Sequence, residues 1–104
     1  MRVTITARHC EIAPDLRVRS RELLERLGKV AGRPHDARVT FEEDHGEALA
    51  EVRLHTARGM VHVGSGSGPD HRTALDRAVA RVRRQLDRGV QVRRRTSRVE
   101  REPQ

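Results

Sequence analysis

The stretch of residues 69–89, PDHRTALDRAVARVRRQLDRG, has the spacing of an amphipathic helix. At about 100° per residue its apolar residues fall within a narrow sector, and four arginines cluster roughly opposite. The apolar residues are Leu75, Ala78, Val79, Val82 and Leu86. The arginines are Arg77, Arg81, Arg84 and Arg88. Because an amphipathic helix buries its apolar side against another layer, the sequence predicts that the arginines face solvent or a partner.

Four segments upstream of this helix alternate apolar and polar residues, which is typical of half-buried strands. They are residues 2–8, 36–44, 47–56 and 60–63. In the last of them we expect Val61 and Val63 to face the core. A first helix is predicted from Pro14 to about Val30, and Gly32 and Pro34 end it. The apolar face of this helix is predicted to consist of Leu16, Ser20, Leu23, Leu27 and Val30.

The predicted order of elements is therefore β-α-β-β-β-α, an α+β fold. The first two strands flank a helix and should be parallel, whereas the later strands form an antiparallel meander. Since each strand has one apolar face, both helices must cover the same side of a four-stranded mixed sheet. Residues 65–68, Ser-Gly-Ser-Gly, are interpreted as a flexible joint. We expect one domain over residues 1–89 and a basic, disordered tail over residues 90–104.

The charge of the chain is unevenly distributed. The 104 residues carry a formal charge of +7, and 35% of them are hydrophobic. Residues 1–35 sum to +4, residues 36–68 to −3 and residues 69–104 to +6. This layout favours a polyanion as partner over a membrane surface. No apolar run resembles a signal peptide or a membrane span, so a cytoplasmic location is expected.

Residues that could carry other chemistry do not form a convincing site. His55 and His62 could face each other across two strands, but two imidazoles without a third ligand rarely hold zinc. The single Cys10 cannot form an internal disulfide, and its neighbour His9 should point to the opposite face of a strand. Cys10 is interpreted as a small buried hydrophobe. We therefore expect no catalytic residue, no metal, no cofactor and no small-molecule substrate.

Three stretches together resemble the ribosome hibernation promoting factor family, also called ribosome-associated inhibitor or sigma-54 modulation proteins. VTITARHCEIAP at residues 3–14 is similar to the family's opening strand and its run into the first helix. AEVRLHT at residues 50–56 is similar to its third strand, and residues 70–86 are similar to its second helix. The chain resembles a short-form member or the isolated N-terminal domain of a long one.

The resemblance implies a protein that binds the small ribosomal subunit in the channel for messenger and transfer RNA. Translation would be inhibited and idle ribosomes preserved in stationary phase or stress, by steric occupancy and without enzymatic activity. It also implies binding of ribosomal RNA by basic residues on both helices and by a basic-His pair after the first strand. By position these are Arg8, His9, Arg17, Arg21, Arg26, Lys29, Arg77, Arg81, Arg84 and Arg88.

Two alternatives remain open at this point. A sheet with two helices on one face also serves general double-stranded-RNA binders. A protein-interaction module could instead use the polar outer sheet or an exposed edge strand. Phosphate contacts predict binding that weakens steeply with salt, whereas a protein-interaction module predicts binding that survives salt. The free chain is expected to be a monomer.

Overall fold

The computed structural model describes the backbone of residues 1–99 and the side chains of residues 1–57 and 59–88. Its elements follow the predicted order β-α-β-β-β-α, which is confirmed. The strands are β1 (Arg2–Ala7), β2 (Pro34–Asp44), β3 (Glu47–Thr56) and β4 (Val61–Gly68). The helices are α1 (Pro14–Ala31) and α2 (His71–Val99), and a short 3-10 turn at Ala57–Gly59 joins β3 to β4.

The four strands form one mixed sheet in the order β1-β2-β3-β4. As predicted, β1 runs parallel to β2, and the remaining neighbours are antiparallel. The register aligns Ile5, Val39, Val52 and Gly64 in one row across the sheet. Because side chains alternate between the two faces of a strand, this row defines the face that the helices cover.

The core lies between that face and both helices. Phe41 is its largest fully buried side chain, and Val39, Val52 and Leu54 are also fully buried on the same face of the sheet. The helix α2 contributes the predicted apolar seam, with Leu75 fully buried and Val79 half-buried. Helix α1 differs in part from the prediction. Leu24 is fully buried there, whereas Val30 is exposed, because the helix turns that side chain away from the sheet.

The strand β4 departs most from the sequence prediction. Residues 65–68 are not a flexible joint, because they continue the strand to Gly68 and pair with β3. The helix-facing side chains are not Val61 and Val63 either. Val61 is exposed, and the buried positions are His62, Gly64 and Gly68. The physical reason is that α2 lies so close to this strand that most of the facing positions have no room for a side chain.

Helix α2 begins with a well-formed cap. Asp70 precedes the helix, and its Oδ1 accepts a 2.7 Å hydrogen bond from the backbone N–H of Thr73. The ring of His71 packs edge-on against Phe41, with 5.6 Å between ring centroids. The predicted end at Gly89 is wrong, because the helix continues to Val99. A single glycine costs only about 1 kcal/mol inside a helix. Of the predicted disordered tail, residues 100–104 lie outside the described residues.

The Asp70 cap predicts a specific loss of stability in acid. The N–H and hydroxyl of Thr73 donate to the carboxylate and lower its pKa from the ordinary value of 3.8. This contribution to stability is complete above the unfolded-state pKa and disappears as the pH falls through the lower folded-state pKa. Asp70→Asn keeps a capping oxygen that does not titrate in this range. Melting temperatures of both proteins should agree near pH 7, and that of the wild type should fall more steeply below pH ~4. If the melting temperatures of the two proteins change with pH in parallel, the Asp70 carboxylate does not have this role.

A two-pronged ion pair joins the helices. Arg19 on α1 donates to both carboxylate oxygens of Asp76 on α2, at distances of 3.0 to 3.2 Å. Both side chains lie in the second turn of their helices, so the helices start at the same end of the sheet. The planar guanidinium suits this geometry, which a lysine could not reproduce.

We expect Arg19→Ala to destabilise the protein by about 1 kcal/mol, because the pair is bidentate but partly exposed. The melting temperature should fall by about 4–8 °C. Arg83→Ala is the matched control, since Arg83 meets Asp87 through one 3.5 Å contact within the same helix. That control should change stability by less than about 0.5 kcal/mol. Equal losses of stability in the two variants would show that the ion pair between the helices stabilises the protein no more than the pair within α2.

Candidate nucleic-acid interface

The arginine stripe, defined as Arg77, Arg81, Arg84 and Arg88, lies on the flank of α2 that faces the free edge of β4. At 100° per residue these side chains span about 60° around the helix axis. The position of the flank is fixed by a contact of its first member, because Arg77 Nη1 donates a 2.7 Å hydrogen bond to the carbonyl of Ser67. All four side chains are exposed. The predicted cluster on α2 is therefore a continuous cationic surface.

The charges of the arginine stripe are not neutralised within the described side chains. The nearest acidic residues of α2 bind other arginines, Asp76 pairing with Arg19 and Asp87 with Arg83. No ion pair joins a stripe residue to a carboxylate in residues 1–57 and 59–88. An exposed guanidinium without a partner keeps its donors available for a phosphate.

The predicted basic residues of α1 are all exposed, but they divide between two flanks. Arg19 marks the flank towards α2, and Arg26 follows it by two turns on the same flank. Arg17 lies about 180° from Arg26 around the helix, and Arg21 lies near Arg17. Lys29 points away from the sheet. The structure therefore does not bring the four cations of α1 into one row.

Arg8 and His9 lie apart from the helical surface. Arg8 follows β1 on the outer face of the sheet, where its Nη1 is 3.3 Å from Oε2 of Glu42. Arg8 therefore does not lie on one surface with the basic residues of the helices, because the sheet separates it from them. His9 is exposed in the following loop, with a left-handed backbone angle φ of 58°.

The outer face of the sheet differs electrostatically from the arginine stripe. Two of its cations pair with carboxylates, Arg8 with Glu42 and Arg53 with Glu51. His55 Nδ1 lies 3.0 Å from Asp36 Oδ1 on the same face. Three carboxylates, Asp36, Glu42 and Glu51, therefore lie among the cations of this face and offset their charge, whereas no described carboxylate pairs with the arginine stripe.

The structure does not favour the zinc site or the nucleophilic cysteine that were considered from the sequence. His55 and His62 lie on opposite faces of the sheet, and His62 is buried on the helix side. Partial burial raises the pKa of the Cys10 thiol, and the nearby Glu43 raises it further. Its Sγ donates to the carbonyl of Phe41 at 3.5 Å. A thiol that stays protonated is a poor nucleophile.

Within the part of the chain described, no helix is long and apolar enough to span a membrane.

Sequence reasoning missed two contributors to this surface. Gln85 Nε2 donates to the Val63 carbonyl at 2.6 Å, and with Arg77 it fixes α2 along β4. The glycines of β4 allow that approach. A signal for Gln85 existed, because Gln85 lies two turns from the predicted Arg77 on the same flank of α2. This position could be interpreted only once residues 65–68 were known to form a strand beside α2.

Comparison with known proteins agrees with this architecture. A curated relative, the ribosome hibernation promotion factor of Rhizobium meliloti (strain 1021), is 29% identical over 89 residues. The match covers 85% of this chain and 47% of that protein, so the chain spans about half the length of this relative.

Two solved structures share the fold. The N-terminal domain of Thermus thermophilus Protein Y has a TM-score of 0.72 and 26% identity, and the match covers 85% of this chain and 98% of that one. A ribosomal subunit interface protein from Coxiella burnetii has a TM-score of 0.76 and 16% identity, covering 85% and 96% of the two chains. The family model described as sigma 54 modulation protein / S30EA ribosomal protein matches residues 3–95. The chain belongs to that family.

Proposed function

We propose that this protein is a ribosome hibernation factor. It binds the small ribosomal subunit in the channel for messenger and transfer RNA, inhibits translation and preserves idle ribosomes. The observation that carries the proposal is the arginine stripe, four exposed guanidinium groups without a carboxylate partner among the described side chains. The names of the Rhizobium meliloti relative and of the Coxiella burnetii protein support a ribosomal partner.

The mechanism is occupancy. Each guanidinium offers a planar set of donors that matches two oxygens of one phosphate. Such contacts hold a protein in place and carry little base-sequence information, so selectivity comes from the shape of folded ribosomal RNA. No bond of the RNA is made or broken, and the chain acts without a catalytic residue or a cofactor.

The same electrostatics orient the protein on its partner. The helical side faces RNA because the arginine stripe has no carboxylate partner among the described side chains. The outer face of the sheet turns away because Asp36, Glu42 and Glu51 offset the charge of its cations. At the end of β2, Asp44 adds an exposed carboxylate to the outer face, and its charge repels phosphate. The free protein acts as a cytoplasmic monomer, in stationary phase or under stress.

Sedimentation of the chain with purified small ribosomal subunits at increasing salt tests this function. We expect binding at low salt and a loss of about a thousandfold between about 50 and 200 mM salt, if roughly six phosphates are contacted. Free duplex RNA in molar excess should not compete. Binding that is insensitive to salt would overturn the phosphate mechanism. Efficient competition by the duplex would indicate a general binder of double-stranded RNA.

A further inference from the structure

The free edge of β4 presents an unusual set of backbone groups. β4 is the last strand of the sheet, so within residues 1–99, which the structure describes, one of its sides has no neighbouring strand. The carbonyls of Val63 and Ser67 accept hydrogen bonds from Gln85 and Arg77 of α2, so they point away from β3. Backbone groups of an antiparallel strand alternate in direction with a period of two residues. Ser65, midway between them, therefore also turns its N–H and carbonyl outward.

This edge is rich in donors. Two of its four outward carbonyls, those of Val63 and Ser67, are occupied by side chains of α2. The N–H groups of Val63, Ser65 and Ser67 face the same side, at intervals of about 7 Å. The Ser65 side chain is exposed beside them. An added protein strand needs alternating donors and acceptors, so an edge with half of its acceptors taken is poorly suited to one.

The arginine stripe begins directly above this edge. A Cβ built on Gly64 would lie 3.1 Å from the Cβ of Arg81, and one built on Gly66 would lie 2.9 Å from the Cβ of Arg77. The absence of side chains on these glycines therefore brings the stems of the arginines within van der Waals distance of the strand. Peptide N–H groups and guanidinium groups then face one strip of solvent, and both are donors to phosphate oxygens.

We propose that the outward edge of β4, together with Arg81, binds a phosphodiester strand of RNA through the N–H groups of Ser65 and Ser67. This inference rests on the proposed function and deepens it, because it adds backbone donors from β4 to a surface otherwise made of helical cations. The stretch that resembled a linker in the sequence thereby becomes part of the binding site. The already bonded Arg77 positions this edge and contributes less to RNA affinity than Arg81.

Amide NMR tests the edge directly. The ¹⁵N-labelled chain is titrated at low salt with a short RNA hairpin, and the same titration is made with oligoglutamate, an extended polyanion that can also pair as a strand. We expect the RNA to shift the amides of Val63, Ser65 and Ser67, while the amide of Val52, within the ladder of β3, serves as the reference. Shifts confined to α2, no binding of the hairpin, or shifts of these amides with oligoglutamate alone would each overturn the proposal.

Two substitutions at Ser65 separate the hydroxyl from the backbone donor. Ser65→Ala removes the hydroxyl only, and Ser65→Pro also removes the outward N–H, which an edge strand tolerates. We expect Ser65→Pro to bind the hairpin about tenfold more weakly than Ser65→Ala, the loss of one hydrogen bond to a charged group. Equal affinities in two folded variants would overturn the proposal. If Ser65→Pro does not fold, the amide shifts of the wild type decide.

The same proteins distinguish this inference from the proposed function. Hairpin binding with shifts at β4, but no sedimentation with small ribosomal subunits, leaves the edge as a phosphate site and rejects the ribosomal function. Sedimentation with subunits that is equal for Ser65→Ala and Ser65→Pro supports the ribosomal function and rejects the role of the edge.

Discussion

Reversing Arg81 and Arg84 together to glutamate is expected to weaken binding to the small ribosomal subunit by at least about a hundredfold, with a nearly unchanged melting temperature. Both side chains are exposed, and neither forms an ion pair with a described side chain. Their loss therefore costs the folded state little. In the proposed complex, each substitution removes a cation from a phosphate and places a negative charge there, so attraction becomes repulsion.

The salt dependence of binding makes this test quantitative. Each phosphate contact contributes about −0.9 to the slope of log K against log salt concentration in duplex DNA. We therefore expect the slope for the double variant to be smaller in magnitude by about 2 than that of the wild type. Sedimentation or fluorescence binding at four or five salt concentrations measures both slopes, and thermal unfolding checks stability.

A matched control reverses the same number of charges elsewhere. Arg38 and Arg53 are exposed and lie opposite each other on β2 and β3, on the outer face of the sheet. Arg38→Glu with Arg53→Glu changes the net charge equally, and we expect less than about a fivefold effect on binding, since only long-range attraction is reduced. If the control and the stripe variant lose binding equally, overall charge determines affinity and the arginine stripe has no special role.

The sequence is informative wherever side chains differ in polarity. Alternation located β1, β2 and β3, and the helical spacing of Leu75, Ala78 and Val82 identified the buried side of α2. The order of elements followed from these patterns, because a helix between two strands implies a parallel pair. These predictions use local periodicity, which the backbone geometry of helices and strands imposes directly.

The parts that were not predicted depend on pairs of distant residues. Arg19 and Asp76 are far apart in the sequence, and their ion pair exists only because α1 and α2 lie side by side. A helical wheel shows that Arg17 and Arg26 lie on opposite sides of α1. Which of the two lies towards α2 depends on the sheet order, because that order places α2 beside one flank of α1 only. Local periodicity therefore reveals neither the ion pair nor the position of α2 beside α1.

Three glycines explain the largest error, which concerns the end of β4 and the face of it that is buried. A polarity pattern depends on side chains, and Gly64, Gly66 and Gly68 have none, so the buried side of β4 gave no apolar signal. Ser-Gly repeats are also typical of linkers. The information that distinguishes the two interpretations lies in α2, whose Ala74 and Ala78 form a flat surface that can touch a bare strand. The exposed Val61 then misled the assignment of faces.

Gly66→Ala is expected to destabilise the protein by about 3 kcal/mol or more, the upper range for overpacking a core. A Cβ at Gly66 would lie 2.3 Å from the carbonyl oxygen of Ala74 and 2.6 Å from the backbone nitrogen of Ala78. Both are backbone atoms of α2, so no side chain can rotate aside and the helix must move away from the sheet. The melting temperature should fall by on the order of 15 °C.

The three glycines of β4 provide a graded series that makes the mechanism specific. At Gly64 the nearest atom is again backbone, the Ala78 oxygen at 2.7 Å, so the cost of alanine there should be intermediate. At Gly68 the nearest atom is Cγ2 of Thr73, at 2.9 Å, which can move, so the cost should be smallest. Ser65→Ala, on the opposite face of the strand, should change stability by less than about 0.5 kcal/mol. Thermal or urea unfolding ranks the four variants. An equal cost at all three glycines would indicate a general loss of backbone freedom in β4, because only direct contact with α2 orders them as Gly66, Gly64 and Gly68.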